Sequence, residues 1–276
     1  MSGAPISHGL QTAPRDHDEL AEGEQPTTVA GPAQHKLRTT WPLHRRQLGQ
    51  LAAGWAVLTL LWIAMGKLIT GPFEGGAIVR TDVRAAEWLA QRRTPTWNSL
   101  TFWGSYLAET LTKVVVTAVV ALVLLKVWRR WLEPLVVAVA LVVEAAAFIV
   151  VTNIVGRPRP DVPRLDGSPV DSSFPSGHVA AAAAYGAFAV IVFWHTRKWW
   201  PRLLAVGIAT MVTLIVSLSR AYRGMHFASD IVAGVVLGCG SVLLAVAVLG
   251  RSPEGARFLA ARDGQHDSTE GDPCPS

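Results

Sequence analysis

Long apolar runs alternate with short polar segments along most of this chain. Six of the runs reach the roughly 17–25 residues that a helix needs to cross a bilayer. They cover residues 47–68, 99–126, 132–154, 178–196, 203–221 and 227–249. Tryptophans such as Trp128 and Trp199 stand at the ends of these runs, where amphipathic rings favour the membrane interface. The pattern predicts an all-α protein, a polytopic bundle of six transmembrane helices.

The second run and the segment before it do not fit a simple span. The run at 99–126 is longer than a crossing requires, and we expect it to begin inside a protein interface around Trp103. Residues 80–97 are amphipathic, with Val83 and Trp88 among basic residues. This segment fits a helix on the membrane surface and, equally, a connecting helix packed against the bundle.

Polar segments flank the bundle at both ends. Residues 1–35 contain scattered Pro and Gly without periodicity, and they are predicted to be disordered. Residues 36–251 hold the six spans, and residues 252–276 form a second polar tail. No apolar stretch lies near Met1, so the first span is expected to remain uncleaved.

The composition supports a membrane environment. Of 276 residues, 50% are hydrophobic and 16% are charged, whereas about 25% are charged in a soluble domain. The net charge is +5, but the basic residues lie beside apolar runs or in short loops. This arrangement fits membrane topology and argues against a nucleic-acid-binding face. The two cysteines imply neither a disulfide framework nor a zinc site.

Lysine and arginine also set the expected orientation in the membrane. One side of the membrane collects the basic residues at 36–46, 126–130, 197–202 and 251–257, whereas the other side holds those at 80–93, 157–164 and 220–223. With the arginines at 157–164 and 220–223 set aside for chemistry, the contrast between the two sides is sharper. This distribution predicts a multi-pass cell-membrane protein with both termini in the cytoplasm. The loops after the first, third and fifth spans are then extracytoplasmic.

Three polar segments interrupt the second half of the chain. They are GRPRPDVPRLDG (156–167), PSGH (175–178) and SRAYRGMHFASD (219–230). The 40 residues between His178 and Ser219 are enough for two crossings. All three segments are therefore expected to meet at one membrane face and to form an active site there.

The residue types in these segments suit phosphoryl transfer without a metal. Its transition state spreads negative charge over three oxygens, and arginine donates paired hydrogen bonds to such oxygens. Arg159 and Arg220 come from different segments and could clamp the group from two sides. Ser176 and Gly177 stand at a predicted helix N-terminus, where an anion is favoured. No shared Asp/Glu cluster suggests a metal, and no cofactor is implied.

Two histidines complete the predicted chemistry. His226 and Asp230 are four residues apart, so a carboxylate on the same helix face would fix the tautomer of a nucleophilic ring. His178 is suited to protonating the departing oxygen. Each motif by itself also fits a structural turn, cap or interfacial anchor, and the function depends on their convergence.

Together these motifs resemble the signature of the type 2 phosphatidic acid phosphatase superfamily, the lipid phosphate phosphatases and their relatives. The resemblance implies that His226 forms a phosphohistidine, that Asp230 orients it and that His178 is the general acid. It assigns the phosphate to Arg159, Arg220, Ser176 and Gly177, with no metal or cofactor.

One position departs from the family pattern, which has a lysine seven residues before the motif arginine. The position is Thr152 if that arginine is Arg159, and Val150 if it is Arg157; neither is basic. Three arginines are candidate substitutes for the missing charge, namely Arg157, Arg164 and Arg223.

The expected partners are the bilayer and a membrane lipid phosphate, with no nucleic acid. Polyprenyl diphosphate, phosphatidic acid and phosphatidylglycerol phosphate all fit as substrates, and the sequence indicates no particular oligomeric state.

Alternative functions use parts of the same chemistry. A lipid phosphotransferase would form the same phosphohistidine intermediate. A non-enzymatic lipid-binding or transport member should have lost its histidines, but His178 and His226 are present. Six spans argue against a vanadium haloperoxidase.

Overall fold

The computed structural model describes residues 43–168 and 170–270, and helices are the only regular secondary structure in these residues. The ten helices are α1 (Arg45–Thr70), α2 (Ala77–Gln91), α3 (Pro95–Tyr106), α4 (Thr110–Trp128), α5 (Leu132–Val155), α6 (Gly177–Ala184), α7 (Gly186–His195), α8 (Trp199–Tyr222), α9 (Ala228–Gly250) and α10 (Pro253–Glu270). The predicted all-α fold is confirmed.

Six helical stretches in this part of the chain are long and apolar enough to cross a membrane. They are α1, α4, α5, α6 with α7, α8 and α9. Five agree with the predicted spans to within four residues at each end. The second prediction is wrong, because 99–126 is divided between α3 and α4. Two polar residues near the break, Ser105 and Glu109, bind residues of other helices.

The centre of the bundle is built on close contact between α6 and α9. Gly234 and Gly238 lie one turn apart on α9 and face the main chain of α6. A Cβ atom at Gly234 would lie 2.6 Å from the carbonyl oxygen of Ser176, and one at Gly238 would overlap the carbonyl of Ala180. Small residues at this spacing let two membrane helices approach closely. The contact brings the start of α6 beside the start of α9.

The amphipathic segment before α3 forms the connecting helix α2, which packs on α8 and α9. Its buried face carries Asp82 and Ala86, whereas Val83 and Trp88 are exposed. Of the two alternatives for residues 80–97, the packed connecting helix is therefore observed. The apolar residues on its outer face, Val83 and Trp88, are exposed and do not pack into the bundle.

The C-terminal polar tail is helical over most of its length, as α10. Near its start, the ring of Phe258 packs against the rings of Trp194 and His195. The tail thus begins with an apolar contact to the end of the bundle opposite the polar motifs. The prediction of disorder for residues 1–35 lies outside the described residues.

Candidate active site

A cavity of about 330 Å³ lies among the ends of α3 and α8, the middle of α5, the beginnings of α4 and α6, and the segment before α9. All three polar segments of the sequence contribute to its wall. Five of the seven residues predicted to act on phosphate line it: Arg159, Gly177, His178, Arg220 and His226. The other two, Ser176 and Asp230, are fully buried and do not line it.

His226 is held by the main chain rather than by a carboxylate. Its Nδ1 lies 2.7 Å from the carbonyl oxygen of Ser173. A carbonyl oxygen can only accept, so Nδ1 carries the hydrogen and donates it. In the neutral ring, Nε2 then has a free lone pair, and no hydrogen bond to a described residue occupies it. Burial lowers the pKa of His226 well below its ordinary value, and the positive charges of Arg220 and Arg159 lower it further.

Asp230 contacts other groups than the sequence predicts. One carboxylate oxygen accepts a 2.9 Å hydrogen bond from the Phe227 N–H, and the other lies 2.5 Å from Arg157. The expected hydrogen bond to the His226 ring is replaced by the one to Ser173. The reason is local, because His226 precedes the first residue of α9 and helical spacing does not extend across that boundary. Asp230 instead caps α9 and neutralises a buried arginine.

His178 is paired with a carboxylate that the motifs do not contain. Its Nε2 lies 3.2 Å from Oε2 of Glu109, the residue immediately before α4. An ionised carboxylate stabilises the protonated imidazole and orients the ring. Glu109 is thus placed to support proton donation by His178 into the cavity.

Arg159 and Arg220 approach the cavity from two segments, and both have internal partners. Arg159 donates to the Met225 carbonyl at 2.6 Å and to the Ser168 hydroxyl at 2.8 Å. Burial lowers the pKa of Arg159, and neighbouring Arg164 lowers it further. Arg220 donates to the Ser105 hydroxyl at 2.9 Å and to Asp166 at 3.2 Å. Both guanidiniums are therefore held in place before any anion binds.

The start of α6 presents unsatisfied donors beside these arginines. Ser176 precedes the helix, and its buried hydroxyl has no hydrogen-bond partner among the described residues. At Gly177 a Cβ atom would come within 2.8 Å of the Phe148 ring on α5, so a larger residue would require that ring to shift. The first N–H groups of a helix lack internal partners and favour an anion. A phosphate in the cavity is a suitable acceptor for them.

The four candidate auxiliary residues do not line the cavity. Arg157 bridges Asp82 and Asp230 in a buried network, and Arg223 binds Asp166 at 2.5 Å. Thr152 is buried with an unpartnered hydroxyl, and Arg164 is exposed. The two buried arginines have carboxylate partners of their own, which explains why they stand away from the phosphate site.

Sequence reasoning missed three charged residues that reach the cavity wall from outside the three polar segments, Glu109, Lys113 and Glu144. Glu144 carries a usable signal, because an acid in the middle of a membrane span is costly and usually functional. Glu109 and Lys113 are four residues apart and share a face of α4. That face was hidden because the interpretation of 99–126 as one span placed both residues inside an apolar run.

Residues 131–253 match the PAP2 superfamily. This range contains every predicted catalytic and phosphate-binding residue and excludes α3 and α4.

Similar curated proteins include sphingosine-1-phosphate phosphatase 2 of Mus musculus, which is 34% identical over 32% of this chain and 26% of its own length. The lipid A 1-phosphatase of Rhizobium johnstonii is 31% identical, with coverages of 40% and 44%. The undecaprenyl-diphosphatase of Sulfolobus acidocaldarius is 35% identical, with coverages of 32% and 39%.

These matches span less than half the length of each relative. A solved structure extends the comparison to most of the bundle. The PAP2 type phosphatidylglycerolphosphate phosphatase from Bacillus subtilis superposes with a TM-score of 0.61 at 22% identity, covering 70% of this chain and 94% of that chain. The two proteins share a fold. Within its six-span membrane bundle, residues 131–253 of this chain are similar to the PAP2 superfamily.

Proposed function

We propose that this protein is an integral-membrane phosphatase that hydrolyses a lipid phosphate or diphosphate through a phosphohistidine. The observation that carries the proposal is the state of His226 within the cavity. Its Nδ1 is occupied by the Ser173 carbonyl, so the neutral ring keeps the lone pair on Nε2 for attack on phosphorus. Arg159, Arg220 and His178 line the same cavity.

In the first step, His226 Nε2 forms a bond to phosphorus while the bond from phosphorus to the lipid oxygen breaks. His178, protonated and paired with Glu109, gives its proton to that oxygen. Arg159 and Arg220 neutralise the charge on the three equatorial oxygens. The start of α6 supplies a further donor, the N–H of Gly177, which lines the cavity.

In the second step, water attacks the phosphohistidine. The neutral His178 takes a proton from the water as the new oxygen–phosphorus bond forms. The phosphorus–nitrogen bond breaks, its electron pair returns to Nε2, and inorganic phosphate leaves. Asp230 stabilises the segment next to His226 through its contacts with Phe227 and Arg157.

The position of the cavity in the bundle indicates the class of substrate and the side of the membrane that the active site faces. The cavity lies near one end of the six spans, and Phe102 and Tyr106 combine cavity lining with large exposed surfaces. A lipid could thus place its headgroup in the cavity and its chains in the bilayer. The basic residues at the opposite end, such as Arg129 and Lys198, favour a cytoplasmic location for that end. The active site is then extracytoplasmic.

Phosphate release by the purified protein, measured in detergent or vesicles, tests the proposal directly. The substrates are phosphatidic acid, phosphatidylglycerol phosphate and a polyprenyl diphosphate. We expect release from at least one of them, and we expect His226→Ala to reduce it by several orders of magnitude. The matched control is His44→Ala, because His44 is exposed just before α1.

Three outcomes would reject the proposal as stated. One is a folded wild type without activity on the whole panel, which would favour a non-enzymatic member. Another is His226→Ala with activity near that of the control. The third is transfer of phosphate to an added alcohol in strong preference to water, which would identify a lipid phosphotransferase.

A further inference from the structure

Lys113 is the basic residue on the α4 wall of the active-site cavity. The Lys113 N–H bonds the Glu109 carbonyl at 2.8 Å, so the two side chains lie on one face of α4, about 6 Å apart along its axis. Glu109 in turn contacts His178 at 3.2 Å. Lys113 therefore lies about one helical turn beyond the partner of the proposed general acid.

The ammonium group of Lys113 lacks the partners that the other basic residues of the cavity have. Arg159 and Arg220 donate to carbonyl, hydroxyl or carboxylate oxygens. In the described part of the chain, Lys113 makes no side-chain hydrogen bond and no ion pair within 4 Å. A half-buried cation near the start of a membrane span is costly without an anion. The cavity is the place from which an anion could reach it.

The basic residues of the cavity come from different parts of its wall. Arg220 and Arg159 are the charges that act most strongly on His226. Lys113 comes from α4, on the same helix face as Glu109, the residue that contacts His178. A phosphate bound at His226 would face the two arginines, and Lys113 lies next to the partner of the proposed general acid.

We propose that Lys113 determines specificity by binding a second phosphate on the leaving group, so that the preferred substrate is a lipid diphosphate. The inference rests on the proposed phosphatase function and deepens it. The terminal phosphate lies against His226, Arg159 and Arg220. The phosphate attached to the lipid chain lies beyond His178 and accepts hydrogen bonds from Lys113.

The reaction is then the cleavage of a phosphoanhydride. His226 Nε2 bonds to the terminal phosphorus, and the bond from that phosphorus to the bridging oxygen breaks. The bridging oxygen takes the proton of His178 and leaves as part of a lipid monophosphate. Lys113 stabilises the charge that this leaving phosphate gains, and water releases the terminal phosphate from His226.

Glu144 is the competing partner for Lys113. It is buried in the middle of α5, lines the same cavity and has an unpartnered carboxyl oxygen. No ion pair within 4 Å joins it to Lys113 among the described residues. A purely structural role for Lys113 would consist of neutralising this carboxyl group. The test must therefore separate neutralisation of Glu144 from binding of the substrate.

The experiment compares farnesyl diphosphate with farnesyl monophosphate, which have the same chain and differ in the second phosphate. We measure kcat/KM on both for the wild type, Lys113→Gln and Lys113→Arg. The control is Lys126→Gln, an exposed lysine at the far end of the same helix. We expect Lys113→Gln to lower kcat/KM on the diphosphate by about tenfold to a hundredfold, the effect of one charge-assisted hydrogen bond. The monophosphate rate should change much less, and Lys113→Arg should restore most of the loss.

The inference is overturned if Lys113→Gln affects both substrates equally or neither, or if the wild type cleaves only the monophosphate. It is also overturned if Lys113→Gln/Glu144→Gln recovers the diphosphate rate lost in Lys113→Gln, because the lysine would then only neutralise Glu144. A wild type inactive on both farnesyl substrates and on the phospholipid panel contradicts the phosphatase proposal itself, so the two failures are distinguishable.

Discussion

The Nδ1 nitrogen of His226 and the carbonyl oxygen of Ser173 lie 2.7 Å apart, although 53 residues separate them in the chain. A main-chain carbonyl cannot exchange its role as an acceptor for that of a donor. The tautomer of His226 is therefore fixed by the path of the chain before α6. Side-chain substitutions around the ring should leave this contact in place.

Asp230→Asn tests the division of roles between Ser173 and Asp230. Asparagine keeps an acceptor for the Phe227 N–H but removes the charge beside buried Arg157. We expect the free energy of unfolding to fall by about 1–3 kcal/mol, the cost of an unsatisfied buried polar group. Activity should fall far less than in His226→Ala. Thermal unfolding in detergent and kcat provide the measurements, and a variant as inactive as His226→Ala but as stable as the wild type would contradict this reasoning.

Arg157→Ala should damage folding rather than phosphate binding. The change leaves the carboxylates of Asp82 and Asp230 buried without their cation. Breaking a buried ion pair in this way costs about 3–5 kcal/mol. The control is Arg164→Ala, an exposed arginine of the same loop, which should change stability by less than about 0.5 kcal/mol. The melting temperature is the readout. A stable Arg157→Ala protein with a raised KM would instead indicate a direct role with substrate.

The pH dependence should reflect the lowered pKa of His226. Burial first, and then the charges of Arg220 and Arg159, keep the ring unprotonated well below its ordinary value of 6.5. Protonation removes the nucleophile, so the acid limb that His226 contributes to kcat/KM should lie well below pH 6.5. Arg159→Gln removes one positive charge and should move that limb to higher pH, whereas Arg164→Gln should not. A limb that stays in place, or moves to lower pH, in Arg159→Gln would count against this assignment.

Activity should persist in a chelator and be inhibited by vanadate. Arg159, Arg220 and the α6 N-terminus supply the positive potential that the phosphoryl group requires. Vanadate adopts the five-coordinate geometry of the transition state and should compete with substrate. Arg220→Gln should weaken vanadate inhibition by about tenfold or more. Loss of activity in EDTA that Mg²⁺ restores would exclude this mechanism.

The orientation can be tested by labelling engineered cysteines in intact cells. With Cys239 and Cys274 replaced by serine, Asp161→Cys should react with an impermeant thiol reagent. Lys198→Cys should react only after permeabilisation, because the cytoplasmic side is expected to hold that end of the bundle. Both positions are exposed. The opposite labelling pattern would place the active site in the cytoplasm.

The spans and part of the cavity could be predicted from sequence, because both depend on local patterns. Span length follows from a run of apolar residues, and five of the six runs agree with the observed helices to within four residues at each end. The turn before α6 and the segment before α9 bring their residues together because two crossings separate them. Arg159, His178 and His226 accordingly line one cavity.

The remaining features depend on contacts between distant segments. Asp82 and Arg157 are 75 residues apart, and no local pattern links them. The contact of His226 with Ser173 uses a main-chain oxygen, which has no signature in the sequence. Lys113 was not predicted as part of the site, because the residues of α3 and α4 were interpreted as one span.

The packing of Gly234 and Gly238 against α6 has a consequence for how this protein can diversify. The distance between the two catalytic segments is set by main-chain atoms, and both segments lie within residues 131–253. The wall formed by Glu109 and Lys113 lies outside that range. If the proposed function holds, substitutions at Lys113 are expected to change the lipid that is accepted while the groups around His226 stay in place. Among homologues of this chain, differences in substrate should accompany differences in the residues of α4. The geometry around His226 should differ least.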